Sequence, residues 1–320
     1  MSAAPDPIAP AAAGKASAEV VLSVRGLTKV YQRRASGAVV GVEDFSFEVR
    51  KGEAVALLGP NGAGKTTSML LALGLLDRDS GEVKLFGGDA EDLANRKRVG
   101  FAPDGPMFPR RLTGLQVLEL HGELAGLSAG SARAKAREVV GRLGMGDFAG
   151  RACALYSKGQ AQRLGLAQAL VGDPDLLFLD EPTAGLDPAA VAALRALLAE
   201  LTAKGTAVVL NSHLLSEVER VCERVLFIKD GKLLRVHEMR AGGRRAELRL
   251  ANPEQVRARL AQVLPDGVLE ADRFRIPVAG PDVMPALVKS VSAAGGEVLE
   301  ARMAGAELEE LYLQIVEGRS

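Results

Sequence analysis

The sequence predicts an α/β fold built on a parallel sheet, followed by a small α+β domain, on three observations. A short apolar run, Glu53 to Leu58, passes through a glycine-rich loop into a helical pattern from Lys65 to Leu76. Further on, the apolar runs Leu176 to Leu179 and Thr206 to Leu210 flank a segment whose Val191, Leu194, Leu197, Leu198 and Leu201 share one helical face. Strand, helix and strand in that order make parallel strands joined by a right-handed crossover. After Val236 the sequence turns to a glycine-punctuated Arg/Glu-rich alternation, which marks a separate module.

Met1 to Ala18 contain Ala, Pro, Gly and Ser with almost nothing to bury, so a disordered arm over 1–18 is expected. Val20 to Val24 and Val39 to Val49 read as strands; the second alternates apolar and polar around Phe45 and Phe47, as an antiparallel pair would. After the loop and helix comes a helical middle section. Leu115, Leu118, Glu119 and Leu124 lie along one segment, and Ser131 to Leu143 is a charged Ala/Arg/Lys/Glu stretch. The main domain is expected over 19–240.

The module over 241–320 reads as strand 246–250, helix 253–264, strands 267–270 and 273–278, helix 281–294, strand 297–301 and helix 306–317. That order resembles a ferredoxin-like fold. Asn252 before Pro253 suits a helix start, the Asn oxygen capping free amides and Pro tolerating the first helical position. Leu308, Leu311 and Ile315 fit one face of the last helix and read as core. There is no internal repeat.

Composition narrows the function. Lys+Arg 40 against Asp+Glu 40 gives a formal net charge of +0, without the basic field that nucleic acid or an anionic membrane would require. Cys153 and Cys222 are far apart and lack metal-ligand spacing, which suits a reducing compartment. No stretch approaches the roughly 18 to 20 apolar residues of a membrane-spanning helix, and the N-terminus lacks secretory-signal order. A cytoplasmic chain is expected.

Gly59-Pro60-Asn61-Gly62-Ala63-Gly64-Lys65-Thr66 fits the phosphate-loop pattern and sits between a predicted strand and a predicted helix, as its mechanism demands. Glycines let backbone amides turn toward phosphate oxygens, and the helix N-terminus adds a positive field. In this pattern Lys65 reaches the β- and γ-phosphates of ATP, Thr66 ligates Mg2+ and Thr67 supports the α-phosphate.

Tyr156-Ser157-Lys158-Gly159-Gln160 precedes a helix and lies shortly before Leu176-Leu177-Phe178-Leu179-Asp180-Glu181. That ordered pairing resembles the ATP-binding cassette (ABC) family. Ala184-Gly185-Leu186-Asp187 is similar to the family's D-loop, His213 in Asn211-Ser212-His213 to its switch histidine, and Tyr31 to its adenine-stacking aromatic. The resemblance covers roughly Val20 to Val236. It implies a phosphate-loop cassette with an N-terminal antiparallel β subdomain and a helical signature subdomain. Asp180, ending an apolar strand, would deliver a carboxylate to the magnesium shell, while Glu181 would polarise the attacking water as general base. His213 would hydrogen-bond the γ-phosphate and that water.

Two positions depart from the family pattern. Gly100-Phe101-Ala102-Pro103-Asp104 occupies the Q-loop, with Asp104 where most members have Gln. A carboxylate can still ligate magnesium, but it donates no amide hydrogen and adds negative charge. A turn-forming Asp after Pro103 is the alternative reading. Lys158 replaces a signature glycine and puts an extra cation at a helix N-terminus, where it would aid anion binding.

These departures, with the tail ending Leu308-Glu309-Glu310-Leu311-Tyr312-Leu313, resemble the exporter-associated branch that includes drug-resistance, sodium-efflux and gliding-motility ATPases. The resemblance implies an ATP-hydrolysing subunit on the cytoplasmic face of the inner membrane, held there by a separate polytopic permease. It also implies a head-to-tail homodimer or paralogous cassette dimer, with the signature of one chain reaching the other chain's ATP. Family members that act in translation carry two cassettes, and those that act in DNA repair carry long coiled coils. This chain has one phosphate loop and no sustained heptads. A non-hydrolysing scaffold is disfavoured by the presence of Lys65, Asp180, Glu181 and His213.

Overall fold

A computed structural model describes residues 18–33, 37–239, 245–278, 283–304 and 306–317. Most of the arm expected over 1–18, the expected domain boundary at 240/241 and the expected helix start at 281 lie outside the described residues. The chain divides into two compact units, one running to Glu238 and including Ile315–Gly318, and one spanning Met239–Gln314 with Arg319–Ser320.

The first unit runs β1 (Val20–Arg33), β2 (Gly37–Arg50), β3 (Ala54–Leu58), α1 (Lys65–Ala72), β4 (Ser80–Leu85), β5 (Gly88–Asp89), α2 (Leu93–Arg96) and β6 (Val99–Ala102). It continues with α3 (Gly114–Leu124), α4 (Ala129–Arg142), α5 (Lys158–Leu170), β7 (Leu176–Asp180), α6 (Pro188–Ala203), β8 (Ala207–Asn211), α7 (Leu215–Val221), β9 (Arg224–Lys229) and β10 (Lys232–Glu238). Two sheets result. An antiparallel one has the order β2-β1-β4-β5; the other has the order β10-β9-β3-β8-β7-β6. In the second, β9, β3, β8, β7 and β6 are parallel and β10 alone is antiparallel.

One apolar cluster joins these sheets through α1. Val24, Phe45 and Phe47 from the antiparallel sheet meet Leu57, Phe178 and Val209 from the parallel one, with Met69 and Leu71 from the helix. β3, β7 and β8 are buried along their whole lengths. That is why they read as unbroken apolar runs rather than alternating ones. A sheet so buried offers its strand ends to ligands, and the carboxyl ends of parallel strands are where open α/β sheets bind them.

The structure alters several sequence expectations. β1 continues past Val24 to Arg33 and pairs with β2 throughout. The alternation in β2 is not continuous: Asp44 adopts a positive φ of 47°, and the register shifts between the Leu27–Phe45 and Lys29–Val42 pairs. A bulge of this kind flips the facing of all later residues, so Val42 and Phe45 are both buried although three positions apart. Helix α1 stops at Ala72 rather than near Leu76. Gly74 takes φ 63°, and the Leu75 and Gly74 amides donate back to the Leu70 and Leu71 carbonyls at 2.9 and 3.0 Å, closing the helix with a left-handed glycine cap.

The second unit runs β11 (Arg245–Leu250), α8 (Pro253–Val263), β12 (Val268–Glu270), β13 (Arg273–Pro277), α9 (Met284–Ala293), β14 (Val298–Ala304) and, as far as Gln314, α10 (Ala306–Glu317). Its sheet has the order β12-β13-β11-β14, with every neighbour antiparallel. Ala246, Leu248, Phe274 and Ile276 pack with Val256, Leu260, Leu287 and Val291 from α8 and α9. Between these inward residues Glu247 points to the other face. There Arg273, Arg275 and Arg302 contact its carboxylate at 2.8, 2.8 and 2.6 Å. Burial works against the charge, but the Arg275 and Arg302 hydrogen bonds outweigh it and hold the Glu247 carboxyl down at about 2. Asn252 does not cap α8. Its side chain instead donates to the Gly295 carbonyl and accepts from the Glu297 amide, both at 2.9 Å, tying the start of α8 to the chain entering β14.

Candidate active site

The phosphate loop leaves the end of β3, beside Phe227 of β9 and one residue past the pairing of Leu57 with Asn211 of β8. Gly64 is its pivot. It takes φ 103° as the residue before α1, and a Cβ there would collide with the Gly41 carbonyl of β2. Only glycine accommodates both conditions. The Ala63 amide donates to Pro60 at 3.1 Å, and the Gly231 amide donates to Ala63 at 2.9 Å, fixing the loop from within and from the β9–β10 turn. Asn61 and Gly62 are exposed, and Thr66 and Thr67 open α1 at its N-terminus, where helix amides favour an anion.

Lys65 is buried, with Nζ 2.7 Å from the Gly59 carbonyl and 3.1 Å from the Pro60 carbonyl. Burial pushes its ammonium below the usual lysine range, while the Glu181 and Asp180 carboxylates pull the other way. A desolvated cation facing two carboxylates is poised to hold phosphate oxygens.

Asp180 ends β7, buried, opposite Asn211 of β8. Its Oδ2 accepts from the Thr66 hydroxyl at 3.0 Å and its Oδ1 from the Asn211 amide group. The Thr66 and Asp180 oxygens therefore meet at one point, a hard all-oxygen donor pair suited to Mg2+ completed by phosphate and water oxygens. Asp104 follows β6, whose Ala102 pairs with Leu179. It thus emerges at the same sheet edge as Asp180, exposed.

Glu181 has a left-handed backbone, φ 48°, rare for a residue with a side chain and costing of order 1–3 kcal/mol. Its amide donates to the Asn211 carbonyl at 2.9 Å. Its Oε2 lies 2.7 Å from His213 Nδ1, and the His213 amide approaches the same oxygen at 3.4 Å. The ionised carboxylate only accepts, so Nδ1 carries the proton. Nε2 then accepts when the ring is neutral and donates to an anionic oxygen when it is charged.

Ser157 and Gln160 close a capping box at the start of α5. The Ser157 amide donates to Gln160 Oε1 at 3.0 Å and the Gln160 amide to Ser157 Oγ at 3.3 Å. Ser157 Oγ accepts in this box, so its own hydrogen stays available to an anion. Ser157 and Lys158 are exposed, and Gly159 packs against Gly185. Asp187 caps α6 through the Ala190 amide at 2.8 Å and pairs with Arg163 at 2.8 Å. That amide and the guanidinium hold its carboxyl below the usual range. Tyr31 lies on β1 opposite Val39, its ring packed over Gly41, where a Cβ would lie 2.6 Å from the ring. Gly41 in turn touches Gly64, which puts the ring one residue from the phosphate loop.

The ABC transporter family profile matches residues 42–184. Daunorubicin resistance ATP-binding protein DrrA3 of Streptomyces coeruleorubidus is 32% identical over 309 residues, 93% of this chain and 96% of that one. The chain belongs to the ABC transporter ATP-binding family. A Nostoc ABC transporter ATP-binding protein of uncharacterized role is 38% identical over 218 residues, 67% of this cassette protein and 65% of its own length. The fold of the dimeric cassette MJ0796, solved in a post-hydrolysis state with ADP and phosphate, matches with a TM-score of 0.64 at 26% identity. That match covers 68% of this chain and 99% of the other.

Three contacts of the cassette are absent from the sequence reading: Asn211 on Asp180, Arg163 on Asp187, and Gln162, whose Nε2 donates to the Glu181 carbonyl at 3.3 Å. Asn211 carried a signal, a polar residue ending a buried apolar strand as Asp180 does. The other two depend on where α5 packs.

Asp104 distinguishes a magnesium ligand from a turn residue by experiment. With Asp104→Gln, the magnesium dependence of ATP hydrolysis should shift several-fold while ATP binding changes little. A superimposable magnesium titration would assign Asp104 to loop geometry alone.

Proposed function

We propose that this chain is the ATP-hydrolysing subunit of an ABC exporter, driving a separate permease through ATP-dependent head-to-tail pairing of two cassettes. The observation that carries the reading is the convergence of Lys65, Thr66, Asp180, Glu181 and His213 on the carboxyl edge of one buried parallel sheet. On that edge Lys65 and the loop amides hold the β- and γ-phosphates. Thr66 and Asp180 hold Mg2+, which when bound neutralises phosphate charge. Glu181 takes a proton from the attacking water, oriented by His213. Thr67 supports the α-phosphate and Tyr31 stacks on adenine. Ser157 and Lys158, exposed at a helix start, and the half-buried Gly159 and Gln160 beside them serve the partner's ATP, with Asp187 near the seam.

Similarity to a daunorubicin resistance protein supports export, since that match covers 93% of this chain and therefore most of the tail. The two-unit division supports a nucleotide-binding domain over 19–240 and an accessory domain over 241–320. The strand order β12-β13-β11-β14 with two intervening helices supports a ferredoxin-like fold for the latter. Among the described residues no helix is long and apolar enough to cross a membrane. Attachment to the cytoplasmic face of the inner membrane therefore falls to the permease.

The test is purification of the tagged full chain from detergent-solubilised membranes of its own cells. A polytopic membrane protein should accompany it, with two cassettes per complex and magnesium-dependent ATP hydrolysis. Recovery without any membrane protein, on ribosomes or DNA, would overturn the reading.

A further inference from the structure

Gln162 is 1% exposed, within the helix whose first turn carries Ser157 to Gln160. Its Nε2 makes a long hydrogen bond, 3.3 Å, to the Glu181 carbonyl, and its Oε1 is buried with no partner. As a stabilising element this is a poor arrangement. Burying an amide with one end unpaired costs more than one long bond returns. The Glu181 carbonyl does not depend on it either, because the Ala184 amide already donates there at 3.1 Å. An apolar residue of the same length would serve packing as well or better.

What Gln162 does contact is the backbone of Glu181, the residue held at φ 48° with its carboxylate on His213. Two further contacts run between the same segments. Gly159 lies so close to the Gly185 carbonyl that a Cβ would come within 2.5 Å of it, and Arg163 pairs with Asp187 at 2.8 Å. The first turns of α5 and the chain from Glu181 to Asp187 are thus tied at three points, and Gln162 is the tie that reaches the glutamate.

We infer that Gln162 is a positioning residue for hydrolysis: it holds the Glu181 backbone so that the carboxylate faces the reaction, and it links that geometry to the helix carrying the signature. This rests on the reading of Glu181 as the general base. A displacement of α5 when its N-terminus meets an anion moves Gln162, and through it the base of the same chain.

The test is Gln162→Met in the full chain, which keeps length and bulk but removes the donor. The ATPase kcat should fall about tenfold or more, with KM and ATP affinity within twofold and Tm equal to or above that of the wild type. Amide exchange across 181–187 should quicken while β7 stays protected. A kcat within twofold of wild type with unchanged exchange overturns the inference, as does a parallel fall of kcat and Tm, which marks a packing role. Glu181→Gln run alongside separates the two claims. If Glu181→Gln retains turnover, the base assignment fails. If Glu181→Gln is inactive and Gln162→Met is normal, only the positioning role fails.

Discussion

Lys65→Ala is expected to lower ATP affinity by about 10- to 100-fold and to reduce hydrolysis at least as much. That range corresponds to the loss of a charge-assisted hydrogen bond at about 1.5–3 kcal/mol, with about 1.4 kcal/mol per factor of ten. The effect should reach the upper part of that range because Lys65 is buried and already partly desolvated, so little solvation remains to be lost when phosphate arrives. Its ammonium also offsets Asp180 and Glu181. Without it, two carboxylates face a polyanion. The substitution removes a donor from the Gly59 and Pro60 carbonyls as well, so Tm is measured alongside the nucleotide titration. Wild-type affinity in a folded Lys65→Ala protein would refute the phosphate-loop assignment.

Glu181→Gln should leave ATP affinity equal or slightly raised and lower turnover by about 10²–10⁴-fold, the range for loss of a general base. The amide keeps the shape of the carboxylate, so the left-handed backbone and its bonds to Asn211 and Gln162 stay in place. Removing one negative charge beside the triphosphate favours binding. What disappears is the proton acceptor 2.7 Å from His213 Nδ1. Turnover within about fivefold of wild type would mean that another group takes the proton.

The site residues stand out in the sequence where chemistry and element order coincide. A Gly-Lys-Thr run at the end of a buried strand, and a second apolar strand ending in Asp180 and Glu181, leave few constructions other than carboxylates and a cation at one sheet edge. The tail elements are legible for a related reason: Ala246, Leu248 and Leu250 alternate strictly with charged residues, and the helices have apolar stripes. Sheet order is not legible, because β11 pairs with β13 and β14 across intervening helices and strands, and no local pattern specifies such pairings. The bulge at Asp44 and the early end of α1 depend on single positive-φ residues inside otherwise regular patterns. Asn252 satisfies every local rule for a cap, yet a tertiary partner, the chain around Gly295 to Glu297, takes its side chain. Gln162 reads as one more polar residue in a helix until the helix is packed against the end of β7.

ATP joins two cassettes in the proposed mechanism, and the mass of the Glu181→Gln protein reads that pairing. With magnesium and ATP present and hydrolysis slowed, light scattering should give twice the 33.5 kDa of one chain. Ser157→Arg in the same protein should return the mass to one chain by blocking the signature while ATP stays bound. A Glu181→Gln protein that binds ATP yet remains at 33.5 kDa at high concentration, and is recovered with fewer than two cassettes per permease complex, would mean that ATP does not join two cassettes.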